Sequence, residues 1–246
     1  MKILLCAPVN EKEEIFVEYL ESLRRLAIPD NFFVDKLFFL HNSERLIKYL
    51  NKDFKENYCT YNNDNKYVKD ELTHRWQDDN FSDVANMKNA LLQFAIVNNY
   101  DYIFFVDSDL ILHHKTLVNL VEQDKDIIAN IFWTKWQNNM IPMPNCWNYD
   151  HYSIVKAELS KWKTKGTYQV GMTGACTLIK RKVFDNKYIN WNPIYNLPVT
   201  KWEDRAFCSR VAMCGHDIWI DTHYPAIHLY RMSEYKKYIK GELNHE

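Results

Sequence analysis

Two aspartates one residue apart, Asp107 and Asp109 around Ser108, follow the apolar run Tyr102-Ile103-Phe104-Phe105-Val106. Such a run reads as a parallel strand buried on both faces. In open α/β sheets, ligands sit where loops leave the carboxyl ends of strands. Two carboxylates there can share one hard cation, Mg²⁺ or Mn²⁺, with phosphate oxygens, and the cation would neutralise charge on a departing diphosphate. Directly after a buried strand, a metal site is the better account than an Asp-rich turn or a helix cap. A second acidic pair, Glu203-Asp204, opens a helix whose apolar face includes Phe207 and Val211. Two accounts fit that pair equally: the helix dipole stabilises acids in a first turn, or Asp204 is a general base for an attacking hydroxyl. His223 and His228 come later, and a neutral imidazole can complete a metal site begun by carboxylates. Spacing does not choose between them.

The elements that must carry these groups follow from hydrophobic period. Lys2 to Ala7 predicts a buried strand stopped by Pro8 and Asn10, and Glu11 to Leu26 an amphipathic helix through Ile15, Tyr19, Leu23 and Leu26. Asn31 to Leu40 predicts a second strand and Ser43 to Leu50 a second helix, while the polar, Asn-rich stretch 51–80 reads as a loop or weakly ordered insertion. Ser82 to Val97 predicts a helix, Asp101 to Val106 the central strand, Lys115 to Gln123 a helix and Asp126 to Phe132 another buried strand. This alternation argues for a Rossmann-like α/β fold, an open, mostly parallel sheet with helices on both faces. After about residue 133 the pattern changes. Trp133 to Gly166 reads as irregular, with one helix near Ser153 to Lys163. Val170 to Lys180 reads as a strand or hairpin, Trp202 to Cys214 as a helix, Asp217 to Asp221 as a last strand, and the rest as a tail. A single domain, 1–246, is expected, in two halves: 1–132 and 133–246.

Composition bounds the function classes. Net charge is −1, from 31 basic and 32 acidic residues, so there is no nucleic-acid-binding signature. Six cysteines lie scattered without a C-x-x-C pair, which argues against zinc or thioredoxin-type chemistry and for reduced thiols in the cytoplasm. The opening apolar run is too short for a signal peptide or membrane span. Aromatics make up 15% of the chain; Trp133, Trp136, Trp147 and Tyr149 serve equally as core packing or as a stacking platform for sugars.

With these pieces in order, the chain resembles the glycosyltransferase-A fold superfamily, nearest to family-2-like bacterial enzymes. The resemblance rests on Ala7-Pro8-Val9-Asn10, Asp83 to Asn89, Asp107-Ser108-Asp109, Gly171 to Cys176, Glu203-Asp204 and His228. It implies transfer of a sugar from a nucleotide-diphosphate donor, with a UDP-sugar favoured, to an unidentified acceptor hydroxyl, using Mn²⁺ or Mg²⁺. It implies that Pro8, Val9 and Asn10 lie by the nucleotide, with His41 or Asn42 near the base. Arg75 and Lys88 would lie near the diphosphate, and Ser108 lies within the donor motif. Asp107 and Asp109 would contact ribose and metal, and His228 metal or diphosphate. Gly174 would let backbone approach the donor sugar. Asp204, with Glu203 beside it, would be the base of an inverting displacement. The absence of a Q-x-x-R-W stretch points away from a processive synthase.

Three rival classes were weighed on residues. A haloacid-dehalogenase-like phosphatase also uses strand-D-x-D, but on its first strand and with Thr or Val two residues beyond the second Asp, where Ile111 stands here. A nucleotidyltransferase expects a Gly-rich loop, and Asn10-Glu11-Lys12 offers none. A catalytically inactive carbohydrate-binding relative would not be expected to keep the D-x-D, the acidic pair and His228 together.

Overall fold

The computed structural model describes residues 1–65, 67–71, 74–75, 77–137, 139–150, 153, 159–197 and 201–245. In chain order the elements are β1 (Lys2–Val9), α1 (Glu13–Arg24), β2 (Phe33–His41), β3 (Glu56–Tyr61), β4 (Val68–Lys69), β5 (His74–Arg75) and α2 (Asp78–Val97). Then come β6 (Tyr102–Val106), β7 (Leu110–Ile111), α3 (Thr116–Glu122), β8 (Ile127–Thr134), β9 (Met143–Pro144), β10 (Cys146–Trp147) and α4 (Leu159–Lys163). The chain closes with β11 (Thr167–Val170), β12 (Met172–Thr173), β13 (Cys176–Lys180), α5 (Arg181–Phe184), α6 (Glu203–Met213), β14 (Ile218–His228) and α7 (Met232–Ile239).

Eight strands form the spine of one sheet in the order β11-β14-β8-β13-β6-β1-β2-β3. Strands β3, β2, β1 and β6 run parallel, and β14 is parallel to β8. β13 is antiparallel to both β6 and β8, and β11 is antiparallel to β14. The sheet is therefore mostly parallel, as expected, with two reversed strands. β1 leads to β2 on one side and pairs with β6 on the other, so the order reverses at β1 and opens a crevice beyond the carboxyl ends of β1 and β6.

Strand pleating sends alternate side chains of β1 to opposite faces. Ile3, Leu5, Ala7 and Val9 pack with Ile15, Phe16 and Tyr19 of α1 and with Leu117 and Leu120 of α3. Leu4 and Cys6 pack on the other face with Ala85, Leu91 and Ala95 of α2 and with Phe207 and Val211 of α6. Each fully buried Leu or Ile contributes about 1.5–3 kcal/mol. Tyr19 also donates its hydroxyl to the Val106 carbonyl at 2.9 Å, tying α1 to the last residue of β6.

Several elements differ from expectation. Ser43 to Leu50 forms not an α-helix but a 3₁₀ segment, Glu44–Tyr49. The insertion 51–80 contains β3, the β4–β5 hairpin and the first turn of α2, whose Gln77 and Asn80 form a reciprocal cap. β3 lacked an apolar signal because it is an edge strand with only Glu56 fully buried. That carboxylate is held by Arg24 Nε and Nη2 at 2.9 and 2.7 Å and by the Asn51 N–H at 2.8 Å. The last strand runs on to His228, past polar residues and Pro225, because its register against β8 shifts between Asp221 and Ala226. The expected tail contains α7, which rests Met232, Tyr235 and Tyr238 against the core. Of the helix expected near Ser153 to Lys163, α4 is seen and residues 154–158 lie outside the described residues. No described helix is long and apolar enough to cross a membrane.

Because an ion pair anchors β3 in place of apolar packing, Glu56→Ala leaves Arg24 buried without its main partner. With Arg24 still slightly exposed, we expect a loss of about 2–3 kcal/mol in urea unfolding. A change below about 0.5 kcal/mol, the range of ordinary surface substitutions, contradicts this reading of the strand.

Candidate active site

Backbone pairing sets the geometry at the strand ends. The β1–β6 ladder aligns Cys6 with Phe105, which brings Pro8, Val9 and Asn10 alongside Asp107, Ser108 and Asp109 on the wall of a cleft of about 290 Å³. Just beyond, β7 pairs with β14, setting His228 opposite Leu110, and the Leu229 N–H donates to the Asp109 carbonyl at 2.8 Å. That ladder delivers His228 to the motif across more than a hundred residues of sequence: its Nε2 lies 3.3 Å from Asp109 Oδ2. The Thr134 hydroxyl holds the other ring nitrogen, Nδ1, at 2.8 Å. His223 is placed elsewhere, its ring paired at 2.7 Å with the buried Asp221.

The facing wall comes from α2 and α6. Lys88 Nζ donates to Glu203 Oε1 at 3.2 Å and to Asp204 Oδ1 at 2.7 Å, and all three side chains line the cleft. Gly174 sits directly behind: a Cβ there would lie 2.2 Å from Asp204 Oδ2. The glycine therefore makes room for the Asp204 carboxylate. Ala175 follows at φ 71°, with the Cys176 N–H donating to the Gly174 carbonyl at 3.0 Å. Holding alanine in that left-handed region costs about 1–2 kcal/mol, and it faces the cleft.

The 51–80 insertion supplies the remaining wall. His41, at the end of β2, lies 3.0 Å from Asn63 Oδ1. It belongs to a buried polar group in which Tyr61, Asn63 and Asn65 all donate to Asp83, at 3.1, 2.9 and 2.8 Å. Lys69 faces the cleft and pairs with the buried Glu11. His74 stacks on Tyr230 at 3.7 Å between centroids, and its Nε2 meets the Tyr230 carbonyl at 2.7 Å. Facing a carbonyl, Nε2 must donate, so Nδ1 accepts from the Tyr67 hydroxyl at 3.0 Å. Burial, with Lys69 adding to it, pushes this imidazole down to about 3, consistent with a neutral ring.

The cleft thus gathers Pro8, Val9, Asn10, His41, Lys88, Asp107, Ser108, Asp109, Glu203, Asp204 and His228, and sets two expected residues outside it. Arg75 is exposed and pairs with Asp70 at 3.3 Å; on a short strand its neighbour His74 takes the inward direction. Gly174 lies behind Asp204, where its close approach is to that side chain. Lys69, Tyr67, His74, Asn80, Trp202 and Tyr230 line the cleft without having been anticipated. Tyr67, Lys69, His74 and Asn80 fall in the 51–80 stretch, which has no apolar period, while Trp202 and Tyr230 flank the acidic pair and His228.

The charges do not balance. Asp107, Asp109, Glu203 and Asp204 face the cleft against Lys69 and Lys88, four carboxylates to two ammonium groups. Burial pushes Asp107 up to about 6, with Lys88 opposing and Asp109 adding to the rise. Burial likewise pushes Glu203 up to about 7, against the pull of Lys88. For Asp109 burial also acts upward, but His228 and Lys69 outweigh it and hold the carboxyl below its ordinary range. The cleft is thus left with an excess of negative charge, which a divalent cation would offset. The oxygen and imidazole donors of Asp107, Asp109 and His228 suit Mn²⁺ or Mg²⁺. Among the described residues no three His, Cys, Asp or Glu side chains are already gathered at metal-holding distance. A cation there would need phosphate oxygens to complete its shell.

Residues 31–224 match the sequence profile described as glycosyltransferase family 25, N-terminal domain. A "Glycosyltransferase 25 family member" from Anopheles gambiae is 26% identical over 174 residues, 66% of this chain and 29% of that protein. The chain therefore spans under a third of that relative's length. A 1–349 fragment of S. aureus TarS superposes with a TM-score of 0.59 at 14% identity, covering 93% of this chain and 60% of the fragment. The same fragment is known in complex with UDP-GlcNAc, with a TM-score of 0.55 at 13% identity, over 92% of this chain and 58% of that one. The mannosyltransferase PcManGT from Pyrobaculum calidifontis, in complex with GDP-Man and Mn²⁺, superposes with a TM-score of 0.55 at 10% identity, over 92% and 56% of the two chains. These superpositions bear out the glycosyltransferase-A architecture.

The raised carboxyl of Glu203 has a signed consequence. Between the unfolded value of about 4.5 and the folded value of about 7, the native state retains a proton that the unfolded chain has lost. Stability falls as pH rises through that window. Glu203→Gln should flatten the decline in melting temperature between pH 4.5 and 7; an unchanged slope assigns the decline to other groups. Gly174→Ala should fold but displace the Asp204 carboxylate. We expect a loss of activity of at least about tenfold with a melting temperature within a few degrees of wild type.

Proposed function

Because the chain belongs to glycosyltransferase family 25, we propose that it transfers a sugar from a nucleotide-diphosphate donor to an acceptor hydroxyl, with inversion and one sugar per encounter. The observation that carries this reading is the single cleft in which Asp107 and Asp109, at the end of β6, face Asp204 across the carboxyl ends of a parallel sheet. The nucleotide lies along Pro8 to Asn10, with its base toward His41 and the polar group around Asp83. Asp107, Asp109 and His228 would hold a divalent cation, whose chemistry is to neutralise charge on the departing diphosphate. Asp204 takes the proton of the acceptor hydroxyl as it attacks the anomeric carbon. One of its oxygens is fixed by Lys88, so the carboxylate is oriented before substrate arrives. Glu203 shares the same ammonium at 3.2 Å.

A UDP-sugar is the favoured donor; the UDP-GlcNAc complex of TarS supports it and the GDP-Man complex of PcManGT offers the alternative base. The acceptor belongs to the second half of the chain, 133–246. A second cleft of about 760 Å³, lined by Trp133, Lys135, Trp162, Lys163 and Lys237, shares His228 with the first. Its indole walls suit the apolar faces of sugar rings. The cysteines are free thiols, four of them buried, which suits a reducing cytoplasmic setting.

A thermal-shift screen of UDP-, GDP-, dTDP- and CDP-sugars with and without Mn²⁺ tests the donor. Stabilisation by one nucleotide class that requires the metal is the expected result, and no response to any of them overturns the reading. With a donor in hand, Asp109→Ala and Asp204→Asn should each lower turnover by about 10²–10⁴-fold while the fold persists. If Asp204→Asn turns over at the wild-type rate, Asp204 is not the base.

A further inference from the structure

The hairpin between β3 and α2 brings its own cation to the donor motif. Lys69, on β4, faces the same cleft as Asp107, Asp109 and His228. Its ammonium pairs with Glu11, and the side chains are only 17% and 2% exposed. Glu11 stands at the entrance to α1, directly after the Pro8 to Asn10 stretch, with its second oxygen accepting the Lys12 N–H at 2.9 Å.

The two lysines of the cleft are differently committed. Lys88 is held between two carboxylates. Lys69 has three N–H donors and, among the described residues, one carboxylate partner in Glu11, with its ammonium also 5.4 Å from the Tyr67 ring centroid. Desolvation acts against its charge, but Glu11 and Asp109 outweigh that and keep its pKa above the ordinary lysine value. A buried ion pair is a poor stabiliser, since desolvation cancels much of its attraction. One buried against a ligand cleft is better explained by a ligand. The hairpin that carries it is fastened to the stretch just after His228. His74 meets the carbonyl and hydroxyl of Tyr230, at 2.7 and 3.1 Å, and Arg231 Nε donates to the Glu71 carbonyl at 3.0 Å. Lys69 is thereby held in the unit that also positions His228 and Asp109.

We propose that Lys69 is a binding residue for the donor's diphosphate, a second positive contact for the leaving group beside the carboxylate motif, with Glu11 holding the ammonium aimed into the cleft. This rests on the nucleotide-sugar reading above. It implies that the hairpin insertion is part of the donor site, and that the protein recognises the second phosphate of a nucleoside diphosphate with a side chain as well as through a cation.

Calorimetry of the whole chain with UDP and UMP, in Mn²⁺, separates the second phosphate from the rest of the nucleotide. Lys69→Met should weaken UDP by about tenfold to a hundredfold and UMP by less than about threefold, and Lys69→Arg should recover most of the loss. Glu11→Gln should weaken UDP by less than Lys69→Met does, since the amide oxygen still accepts from the ammonium while the orienting charge is lost. If Lys69→Met folds poorly with Glu11 left unpaired, the double variant Glu11→Gln/Lys69→Met removes both charges and should lose UDP-over-UMP preference to the same extent. Undiminished UDP binding, or equal losses for UDP and UMP, overturns the proposal while leaving the donor reading intact. If wild type binds none of UDP, GDP, dTDP or CDP, the donor reading fails and takes the proposal with it.

Discussion

Lys88 lies between Glu203 and Asp204, and much of the cleft follows from that contact. It joins α2 to α6 across the mouth of the sheet, 3.2 and 2.7 Å from the two carboxylates. Without the ammonium, two acids adjacent in sequence at one helix start would face each other unscreened. With it, both are held in place, and the space they occupy dictates residues around them. Gly174 must be glycine because Asp204 fills the volume of its missing side chain. The turn into β13 must then pass through Ala175 in a left-handed conformation. Local strain at Ala175 is repaid by the ladders that β13 makes with both β6 and β8.

The same contact explains why the cleft stays short of positive charge. Lys88 is shared among its partners, and although it opposes the shift, burial still pushes Asp107 up to about 6. An excess of buried carboxylates has a cost in the empty protein and a use in the loaded one. Under the proposed donor reading, positive charge arriving with the ligand would relieve it. The partial exception is Asp109, which His228 and Lys69 keep ionised. The two aspartates of the motif therefore differ, although their sequence context is nearly symmetrical.

What was legible in the sequence was what period and strand ends encode. The run Tyr102 to Val106, buried along its whole length, announced a central strand, and the strand-end rule then placed Asp107 to Asp109 at the crevice. The pairing of Asp109 with His228 was not available from local spacing, because a two-residue ladder between β7 and β14 creates it. Likeness to a fold superfamily singled out His228 where residue type alone left His223 open, and the structure gives the physical difference: Asp221 engages His223. β3 and the hairpin were illegible for another reason. They are placed by the Arg24–Glu56 pair and by bonds to Tyr230 and Arg231, so no alternation of apolar residues marks them. Arg75 shows the limit of naming a basic residue without knowing its face, since the inward position on that strand falls to His74.

The two clefts rest on different parts of the sheet. Asn10, His41 and Asp107 stand at the carboxyl ends of β1, β2 and β6, whose register is fixed by continuous ladders and two apolar cores. A one-residue slip there would turn every core side chain to the wrong face, so the positions of Asn10, His41 and Asp107 are set by the same forces that fold the protein. The second cleft is walled by Trp133 at the end of β8, by α4 and by the segment after β14. These pieces are short or irregular, yet Trp162 is buried in the core and Trp133 and Leu159 pack against it. Arg231 spans the boundary. Buried at 3% exposure, it donates to the carbonyls of Lys135 and Trp136 on one side and Glu71 on the other. One guanidinium thus fastens the hairpin after β3 and the start of the Trp-rich segment to the same point.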